Sequence, residues 1–212
     1  MYEVDGNEQK LFCQNLCLFA KLFLDHKTLY FDVGSFNFYV ICEYFNDGRC
    51  NVVGYFSKEK QSDDNYNLAC ILTLPHYQQM GVGNFMIELA YALSERQGIV
   101  GTPERPLSDM GLVCFRSYWR SRILQALKRH GTTLSLKDLA GLTGFQLEDV
   151  VSTLQPLALI RYWRGQHILS ATPKIVNDYI EASRKAKEKS ADPSQTPRPR
   201  LPAFNAELLL LE

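Results

Sequence analysis

The sequence has no excess of either charge, no long apolar run and no internal repeat. Its 212 residues carry 23 Lys plus Arg against 23 Asp plus Glu, so no net field draws the chain to nucleic acid or to a membrane surface. Every apolar stretch is interrupted before the roughly 18 residues that indicate a transmembrane helix. The start, MYEVD, has neither the basic nor the apolar segment of a signal peptide. We therefore expect no membrane partner.

Cysteine and histidine are too scattered to indicate a metal site. Cys13 and Cys17 lie four residues apart, but no second Cys or His pair follows at zinc-finger spacing. The six cysteines lie mostly inside apolar runs, which is typical of buried, reduced thiols in a cytosolic or nuclear protein. We expect no metal, and the 46% hydrophobic share is enough for the core of one domain or slightly more.

The first 65 residues show helix and strand patterns in succession. Apolar residues recur at helical spacing over residues 11–24, which predicts a helix. Three β-rich runs follow, separated by Gly34-Ser35 and by an Asn-Asp-Gly turn, and a polar stretch after them predicts a loop. The predicted strands cover residues 28–33, 36–45 and 52–57, and the predicted loop covers residues 58–65.

The stretch from Tyr66 to Phe85 combines a strand, a turn and the start of a helix. Its apolar run predicts a buried strand, which Pro75 ends because proline has no N–H for a sheet ladder. Gly81-Val82-Gly83 then leads into a helix predicted over residues 84–97. Glycines let a backbone approach closely and the first N–H groups of a helix attract an anion, so the arrangement favours pyrophosphate binding. Residues 78–83 match the Q/R-x-x-G-x-G/A signature of acetyl-CoA-binding acetyltransferases, although ordinary turn chemistry produces such glycines too.

The second half of the chain is predicted to be mostly helical. Residues 98–106 are rich in proline and glycine and predict irregular structure, and a long helix follows with Ser108 as its N-cap. A helix, a turn, a second helix and a hairpin then have the order of a winged-helix unit, in which Glu148 and Asp149 open the second helix. These acidic residues disfavour DNA recognition and favour a structural role. The predicted elements cover residues 107–130, 135–142, 146–157, 160–170 and 173–189.

These patterns together predict an α+β fold in three parts. The first, residues 1–115, is the expected acetyl-CoA-binding core with a mixed sheet. The second, residues 116–189, is the helical, winged-helix-like region. The third, residues 190–212, is a Pro-rich linker with an apolar tail at Leu208–Leu211.

Two residues are candidates for acyl-transfer chemistry. A lysine ammonium has a pKa of about 10.4, so it must lose a proton before it attacks a thioester, and a carboxylate is a common base for that step. Glu104 lies between two prolines, where it is either this base or a solvated loop residue. Cys70 is either a transient acyl acceptor or a small buried hydrophobe. Ser108 is compatible with a second use beside capping, and Lys27 is by default a surface lysine.

Several segments, in order over most of the chain, resemble the MYST family of histone acetyltransferases. The similarity is greatest to the branch of the males-absent-on-the-first and Tip-sixty proteins, which shares ACILTLP and the TPK of residues 172–174. The segments are EVDG (3–6), residues 13–33, VGYFSKEK (53–60), NLACILTLP (67–75), the glycine turn, TPERPLSDMG (102–111), SYW (117–119), VSTLQ (151–155) and YWRGQHI (162–168).

The resemblance implies an acetyl-CoA-dependent lysine acetyltransferase with a GNAT-like core. It would act on histone tails in the nucleus, together with subunits of a chromatin-modifying complex. The resemblance implies that Glu104 is the general base, Cys70 the active-site cysteine and Lys27 an autoacetylated lysine. It also implies cofactor contacts from a strand edge, the glycine turn and two serines: Ile71, Leu72, Thr73, Gln78, Gln79, Met80, Gly81, Val82, Gly83, Asn84, Ser108 and Ser117.

The chain departs from the family pattern in the glycine turn. Gln79, Val82 and Asn84 stand where the family has Arg, Tyr and a basic residue, which removes charge-assisted hydrogen bonds to a pyrophosphate and predicts weaker cofactor affinity. We also expect the zinc-finger region that precedes EVDG in the family to be missing. One rival hypothesis is a weak or inert relative that binds acetyl-CoA or a complex partner without turnover. Another is an acetyltransferase of non-histone or small-molecule amines.

Overall fold

Eight β-strands and six α-helices make up the computed structural model, which describes residues 1–24 and 31–189. The strands are β1 Tyr2–Asp5, β2 Phe36–Tyr44, β3 Cys50–Glu59, β4 Tyr66–Leu68, β5 Cys70–Thr73, β6 Thr102–Pro103, β7 Ile160–Trp163 and β8 Gln166–Leu169. The helices are α1 Lys10–Lys21, α2 Val82–Arg96, α3 Asp109–His130, α4 Leu136–Thr143, α5 Leu147–Leu154 and α6 Pro173–Lys189. This mixture confirms the predicted α+β class.

An antiparallel sheet in the order β1-β2-β3-β5 is the centre of the fold. The long strands β2 and β3 form a hairpin that pairs Phe36 with Glu59 and Tyr44 with Cys50. The last strand in the order, β5, pairs with β3. Separately, β4 pairs with β6 in parallel and β7 pairs with β8. The chain therefore changes strand partner at Ala69, between β4 and β5.

Some predicted elements differ from the structure. Phe31–Val33, the described end of the strand predicted over residues 28–33, is not a strand, and β1 occupies the position beside β2. Val33 is 1% exposed, so burial without ladder pairing accounts for the apolar pattern there. The predicted loop begins later, because β3 continues to Glu59. The stretch predicted as irregular contains β6, whose pairing with β4 is invisible in local sequence.

Side-chain caps start two helices, the first of them at the predicted N-cap, Ser108. The Gly111 N–H donates to Ser108 Oγ at 3.1 Å at the start of α3. Ser135 and Asp138 form a reciprocal capping box at the start of α4. Gly144 ends α4 with φ +69°, a left-handed conformation that glycine adopts without steric cost. These contacts fix the orientation of α3 and α4 relative to the preceding loops.

Two apolar clusters lie on opposite faces of the sheet. Side chains alternate along β3, so Tyr55 and Phe56 enter different clusters. The larger cluster joins the sheet to α2, α3, α4, α5 and α6. The smaller cluster packs α1 against the sheet. Helix α3 and the larger cluster both continue through residue 115, the predicted end of the first part of the chain.

All six cysteines are reduced, but only half of them are buried. Cys13, Cys17 and Cys70 are buried, whereas Cys50 and Cys114 are exposed, so the expectation of mostly buried thiols is only partly correct. Residues 1–24 and 31–189 contain no group of three His, Cys, Asp or Glu side chains placed to bind a metal ion. None of the helices in that part of the chain combines the length and apolar character needed to cross a membrane.

Candidate functional site

The parallel pairing of β4 with β6 brings Glu104 and Cys70 into one region. The register aligns Leu68 with Pro103, and the Glu104 N–H then donates to the Leu68 carbonyl at 2.8 Å. Glu104 thereby lies beside the chain two residues before Cys70, although the two are far apart in sequence. The Glu104 side chain is exposed, and Cys70 is 6% exposed. An accessible carboxylate and a buried thiol therefore lie near the point where the chain passes from β4 to β5.

Backbone hydrogen bonds fasten the loop that carries Glu104 on two sides. Towards β4, the Thr102 N–H donates to the Asn65 carbonyl at 3.3 Å. Towards the C-terminal helices, the Gly101 N–H donates to the Gly144 carbonyl at 3.1 Å. A loop held in this way presents its carboxylate from a fixed backbone, which is what a general base requires.

Asp149 on α5 is a buried carboxylate that binds the same loop. It is 0% exposed, its Oδ2 accepts from the Thr102 hydroxyl at 2.8 Å, and its Oδ1 accepts from the Arg105 guanidinium. Burial raises the pKa of the Asp149 carboxyl, while the Thr102 hydrogen bond and the Arg105 charge oppose that rise. In the sequence, Asp149 is recognisable only as part of an acidic helix start. Its contacts are not predictable from local pattern, because both partners lie more than forty residues away.

Tyr55 on β3 contacts the Cys70 thiol inside the smaller core cluster. The Tyr55 hydroxyl donates to the Leu16 carbonyl at 2.8 Å and lies 3.7 Å from Cys70 Sγ. The hydroxyl and the thiol are each able to donate in the contact between the two side chains. Burial, followed by the neighbouring Cys70, raises the pKa of Tyr55. Both readings of Cys70, acyl acceptor and buried hydrophobe, fit this position.

Removal of the Tyr55 hydroxyl is expected to lower the stability of the sheet around Cys70. Tyr55→Phe loses one buried hydrogen bond, which contributes about 1 kcal/mol and corresponds to a melting temperature roughly 2–4 °C lower in a chain of this size. The measurement compares the thermal unfolding of Tyr55→Phe with that of Tyr162→Phe, a control at an exposed tyrosine of the β7–β8 hairpin. Equal melting temperatures for the two variants would show that the Tyr55 contact contributes nothing.

The outer edge of β5 has no strand partner among the described residues. The Leu74 N–H donates to the Val53 carbonyl at 2.9 Å, which fixes the alternation of the antiparallel ladder. By that alternation Ile71 and Thr73 direct their backbone groups to the open edge. The side chains of Ile71 and Leu72 pack into the apolar clusters, so Ile71 offers a ligand its backbone rather than its side chain.

The glycine turn places the uncapped start of α2 next to the end of β5. Gly81 has φ +90°, which favours glycine, and no side chain caps the helix that follows. A Cβ placed on Gly83 would meet only Thr73 Oγ1, at 3.9 Å, so nothing within the described protein occupies the space beside Gly83. Open space, a nearby hydroxyl and the first N–H groups of a helix together suit the approach of a phosphate group.

The other residues of the turn differ in what they expose. Gln79, with φ +63°, and Asn84 are exposed at the mouth of the turn. Val82 is 2% exposed in the larger cluster, so only its backbone remains for a ligand. Gln78 donates from Nε2 to the Thr73 carbonyl at 3.3 Å, which ties the turn to β5.

The remaining predicted contact residues are Met80 and the two serines of α3 and its N-cap. Met80 is partly buried against the larger cluster. Ser108 caps α3, and Ser117 is exposed farther along that helix, about 13 Å away along its axis at the usual rise per residue. Only an elongated ligand contacts both serines. Lys27, the predicted autoacetylation residue, lies outside the described residues.

A shallow pocket next to Glu104 is lined by Arg105, Pro106, Leu107 and Leu112.

Comparison with known proteins gives consistent matches over this chain. A model described as the MOZ/SAS family matches residues 1–196. "Histone acetyltransferase of the MYST family 1" of Arabidopsis thaliana is 55% identical over 183 residues, covering 86% of this chain and 41% of the relative. "Histone acetyltransferase ESA1" of Saccharomyces cerevisiae is 44% identical over 194 residues, covering 92% and 43% respectively. "Histone acetyltransferase MOF" of Drosophila melanogaster is 46% identical over 183 residues, covering 85% and 22%. The chain thus spans less than half the length of these relatives.

Proposed function

The chain belongs to the MOZ/SAS family, and on that premise we propose that it is a lysine acetyltransferase that transfers acetyl from acetyl-CoA to histone tails. The matched relatives carry the name histone acetyltransferase, but the chain spans only part of each, so the proposal depends on the residues present here. The observation that carries it is the β4–β6 pairing, which sets Glu104 beside the strand that leads to Cys70.

In this proposal the sheet and α2 form a GNAT-like core, and the C-terminal elements form a winged-helix-like unit. The order α3, α4, α5 and then the β7–β8 hairpin supports the second comparison. The unit would serve as a support for the core rather than as a reader of DNA sequence. The last helix before the hairpin, α5, begins with acidic residues, one of which is buried against the Glu104 loop.

The proposed cradle for acetyl-CoA runs from the open edge of β5 to the start of α2. Ile71 and Thr73 would bind the elongated pantetheine arm through backbone groups, in the manner of an added strand. Gly81, Gly83 and the first N–H groups of α2 would hold the pyrophosphate. The open space beside Gly83 supports this assignment, because no contact within the described protein accounts for a glycine there. Ser108 and Ser117 would contact more distant parts of the ligand.

Glu104 would act as the general base. Acetyl-CoA supplies a thioester carbonyl that an amine can attack. The exposed Glu104 carboxylate accepts a proton from the lysine ammonium, and the neutral nitrogen then forms a bond to the carbonyl carbon. The carbon–sulfur bond breaks, and coenzyme A leaves with a proton as its thiol. The fixed backbone at Glu104 supports this role, because proton transfer requires the base to be held within hydrogen-bond reach.

Cys70 would shape the acetyl end of the cradle or carry the acetyl group briefly. Cys70 is the first residue of β5 and precedes Ile71, whose backbone groups face the open edge of the strand, and this position supports both roles. Its enclosure by Tyr55 in the smaller cluster favours the shaping role, because an acyl acceptor must be reached by the thioester.

The substrate class implies where the protein would act. Histone tails place the chain in the nucleus, with other subunits of a chromatin-modifying complex as partners. Lys27 is proposed as the lysine that the enzyme acetylates on itself, following the family resemblance.

A second candidate function is a relative that binds acetyl-CoA without efficient turnover. It is favoured by one observation: Gln79 and Asn84, which are exposed at the start of α2, carry no charge where the family pattern has cations. The two candidates differ in turnover rather than in binding, so kinetic measurements separate them.

Because Gln79 and Asn84 are uncharged, we expect added cations at these positions to increase the affinity for acetyl-CoA. Gln79→Arg combined with Asn84→Lys is expected to tighten acetyl-CoA binding roughly 3- to 10-fold, because exposed charge pairs contribute up to about 1 kcal/mol each. The ligand-free protein should lose about 0.3–1 kcal/mol of stability per cation, since cations oppose the dipole at a helix N-terminus. The measurement is calorimetric titration, with Gln97→Arg at the opposite end of α2 as the control. An unchanged Kd in the double variant contradicts the charge argument.

The function itself is tested by incubating the purified chain with acetyl-CoA and a histone-tail peptide. Acetyl transfer well above the rate of the uncatalysed mixture supports the enzyme proposal. Acetyl-CoA binding with no transfer favours the second candidate, and absence of both overturns the proposed cradle. A rise in melting temperature with acetyl-CoA measures binding independently of turnover.

A further inference from the structure

Asp149 connects the C-terminal helices to the loop that carries Glu104. Its two oxygens are used separately: Oδ2 accepts from the Thr102 hydroxyl at 2.8 Å, and Oδ1 accepts from the Arg105 guanidinium. These partners stand on either side of Glu104 in sequence. We propose that Asp149 is a positioning residue for acetyl transfer, which holds the Glu104 carboxylate in its productive place by binding the loop before and after it. This inference rests on the function proposed above.

The geometry makes Asp149 more than a surface ion pair. Asp149 is 0% exposed, whereas the Arg105 side chain is 47% exposed, so the carboxylate is the buried and fixed partner. Its position is fixed by α5, whose Val150 and Leu154 lie fully buried in the larger cluster. The packing of α5 therefore fixes Asp149, and the hydrogen bonds of Asp149 in turn fix the loop that carries Glu104.

The same contact determines where the Arg105 cation lies. Arg105 is adjacent to Glu104 and half exposed, so without Asp149 it is free to turn towards the Glu104 carboxylate. A guanidinium paired with the base would compete with the lysine ammonium for it. Asp149 therefore orients the loop and also holds the Arg105 guanidinium in an ion pair.

The test uses Asp149→Asn, which keeps the size of the side chain and one acceptor oxygen but removes the charge that holds Arg105. Because Arg105 is half exposed, water solvates it when the pair is lost, and folding is retained. The kcat for acetyl transfer to a histone-tail peptide is expected to fall about 10- to 100-fold, the effect of a displacement of roughly 1 Å at a catalytic group. The KM for acetyl-CoA and the calorimetric binding stoichiometry, which counts folded molecules, should stay unchanged.

Combination with Glu104→Gln separates positioning from general stability. If Asp149 acts through Glu104, Asp149→Asn has no further effect on the residual rate of Glu104→Gln. Thr102→Val, which removes one of the two contacts, should show the same pattern with a smaller loss. Glu148→Gln is the matched control: it removes a carboxylate from the same helical turn at an exposed position, and full activity is expected.

The outcomes distinguish this inference from the proposed function. An inactive wild-type chain overturns the proposed function and this role with it. An active wild type, a disabled Glu104→Gln and a fully active Asp149→Asn overturn the positioning role alone. Losses that multiply in the double variant, or that match a fall in binding stoichiometry, also overturn it, because they indicate damage to the fold. If Asp149→Asn fails to fold, Thr102→Val decides by the same comparison.

Discussion

Glu104→Gln is expected to lower the rate of acetyl transfer by about 10²- to 10⁴-fold, the usual contribution of a general base. Glutamine keeps the size of the side chain but cannot accept a proton from an ammonium group. The backbone contact of residue 104 with Leu68 involves only the main chain and remains in the variant. Binding of acetyl-CoA should therefore be unchanged, and the loss should appear in kcat.

The measurement is initial-rate kinetics with a histone-tail peptide, accompanied by calorimetric titration with acetyl-CoA. Glu95→Gln, an exposed position near the end of α2, is the control for removing a carboxylate elsewhere. Equal rates for the wild type and Glu104→Gln would exclude Glu104 as the base. Because deprotonation of lysine becomes easier at high pH, the difference between the two proteins should narrow as the pH approaches the ordinary lysine pKa of about 10.4.

Gly83→Ala is expected to weaken acetyl-CoA binding while leaving the fold intact. A methyl group at this position meets nothing in the described protein closer than Thr73 Oγ1 at 3.9 Å, and it lies in the first turn of α2. The unliganded protein should therefore be as stable as the wild type, or more stable by up to about 1 kcal/mol, since alanine favours a helix. The space that the methyl group fills is the space assigned to the ligand. Overpacking there costs about 1–3 kcal/mol, or roughly 5- to 150-fold in Kd.

The comparison that tests this prediction is thermal unfolding of Gly83→Ala with and without acetyl-CoA. The variant should melt at or above the wild-type temperature when alone, and gain less stability from the ligand. Gly141→Ala is the matched control, because that glycine also has open space around it but lies on α4, away from the cradle. An unchanged Kd in Gly83→Ala would place the cofactor elsewhere. The Gly81 position is less informative, because φ +90° makes any substitution there strained in the absence of ligand.

Local sequence patterns account for most of the helices and for the turn. The starts of α3 and α4 follow from Ser108 and Ser135, because a side-chain cap acts over three or four residues. The strand–turn–helix unit around Gly81 follows from proline, glycine and apolar periodicity, which are equally local. Such features are legible in one sequence because their physical causes lie within a few residues.

The pairings between distant segments were not predictable in this way. β1 lies beside β2, where the strand over residues 28–33 was expected. The four residues of β1 are too few to show a clear strand pattern, and the burial of Val33 gave residues 28–33 an apolar pattern without strand pairing at Val33. The strand β6 has two residues and exists through its contact with β4. The position of Glu104 beside Leu68, two residues before Cys70, depends on that contact, so local sequence identifies the candidate residues but not their proximity.

Asp149 is the residue whose role is least predictable from its neighbours in sequence. An aspartate in the first turn of a helix has an ordinary local explanation, the attraction of a carboxylate to the helix N-terminus. Its burial and its contacts with Thr102 and Arg105 depend on how α5 packs against the loop, which no periodicity encodes. Polar residues buried at contacts between distant segments are therefore the group that the structure adds to the site.

A single-turnover reaction followed by mass spectrometry tests whether this chain transfers acetyl groups through Glu104. The wild-type chain, in excess over acetyl-CoA, is mixed with a histone-tail peptide, and the masses of peptide and protein are followed in time. We expect one acetyl group, on a peptide lysine or on the protein itself, for each coenzyme A released, and transfer to the peptide about 10²- to 10⁴-fold slower in Glu104→Gln. Acetyl-CoA that stays bound and intact while the peptide remains unmodified would contradict this expectation.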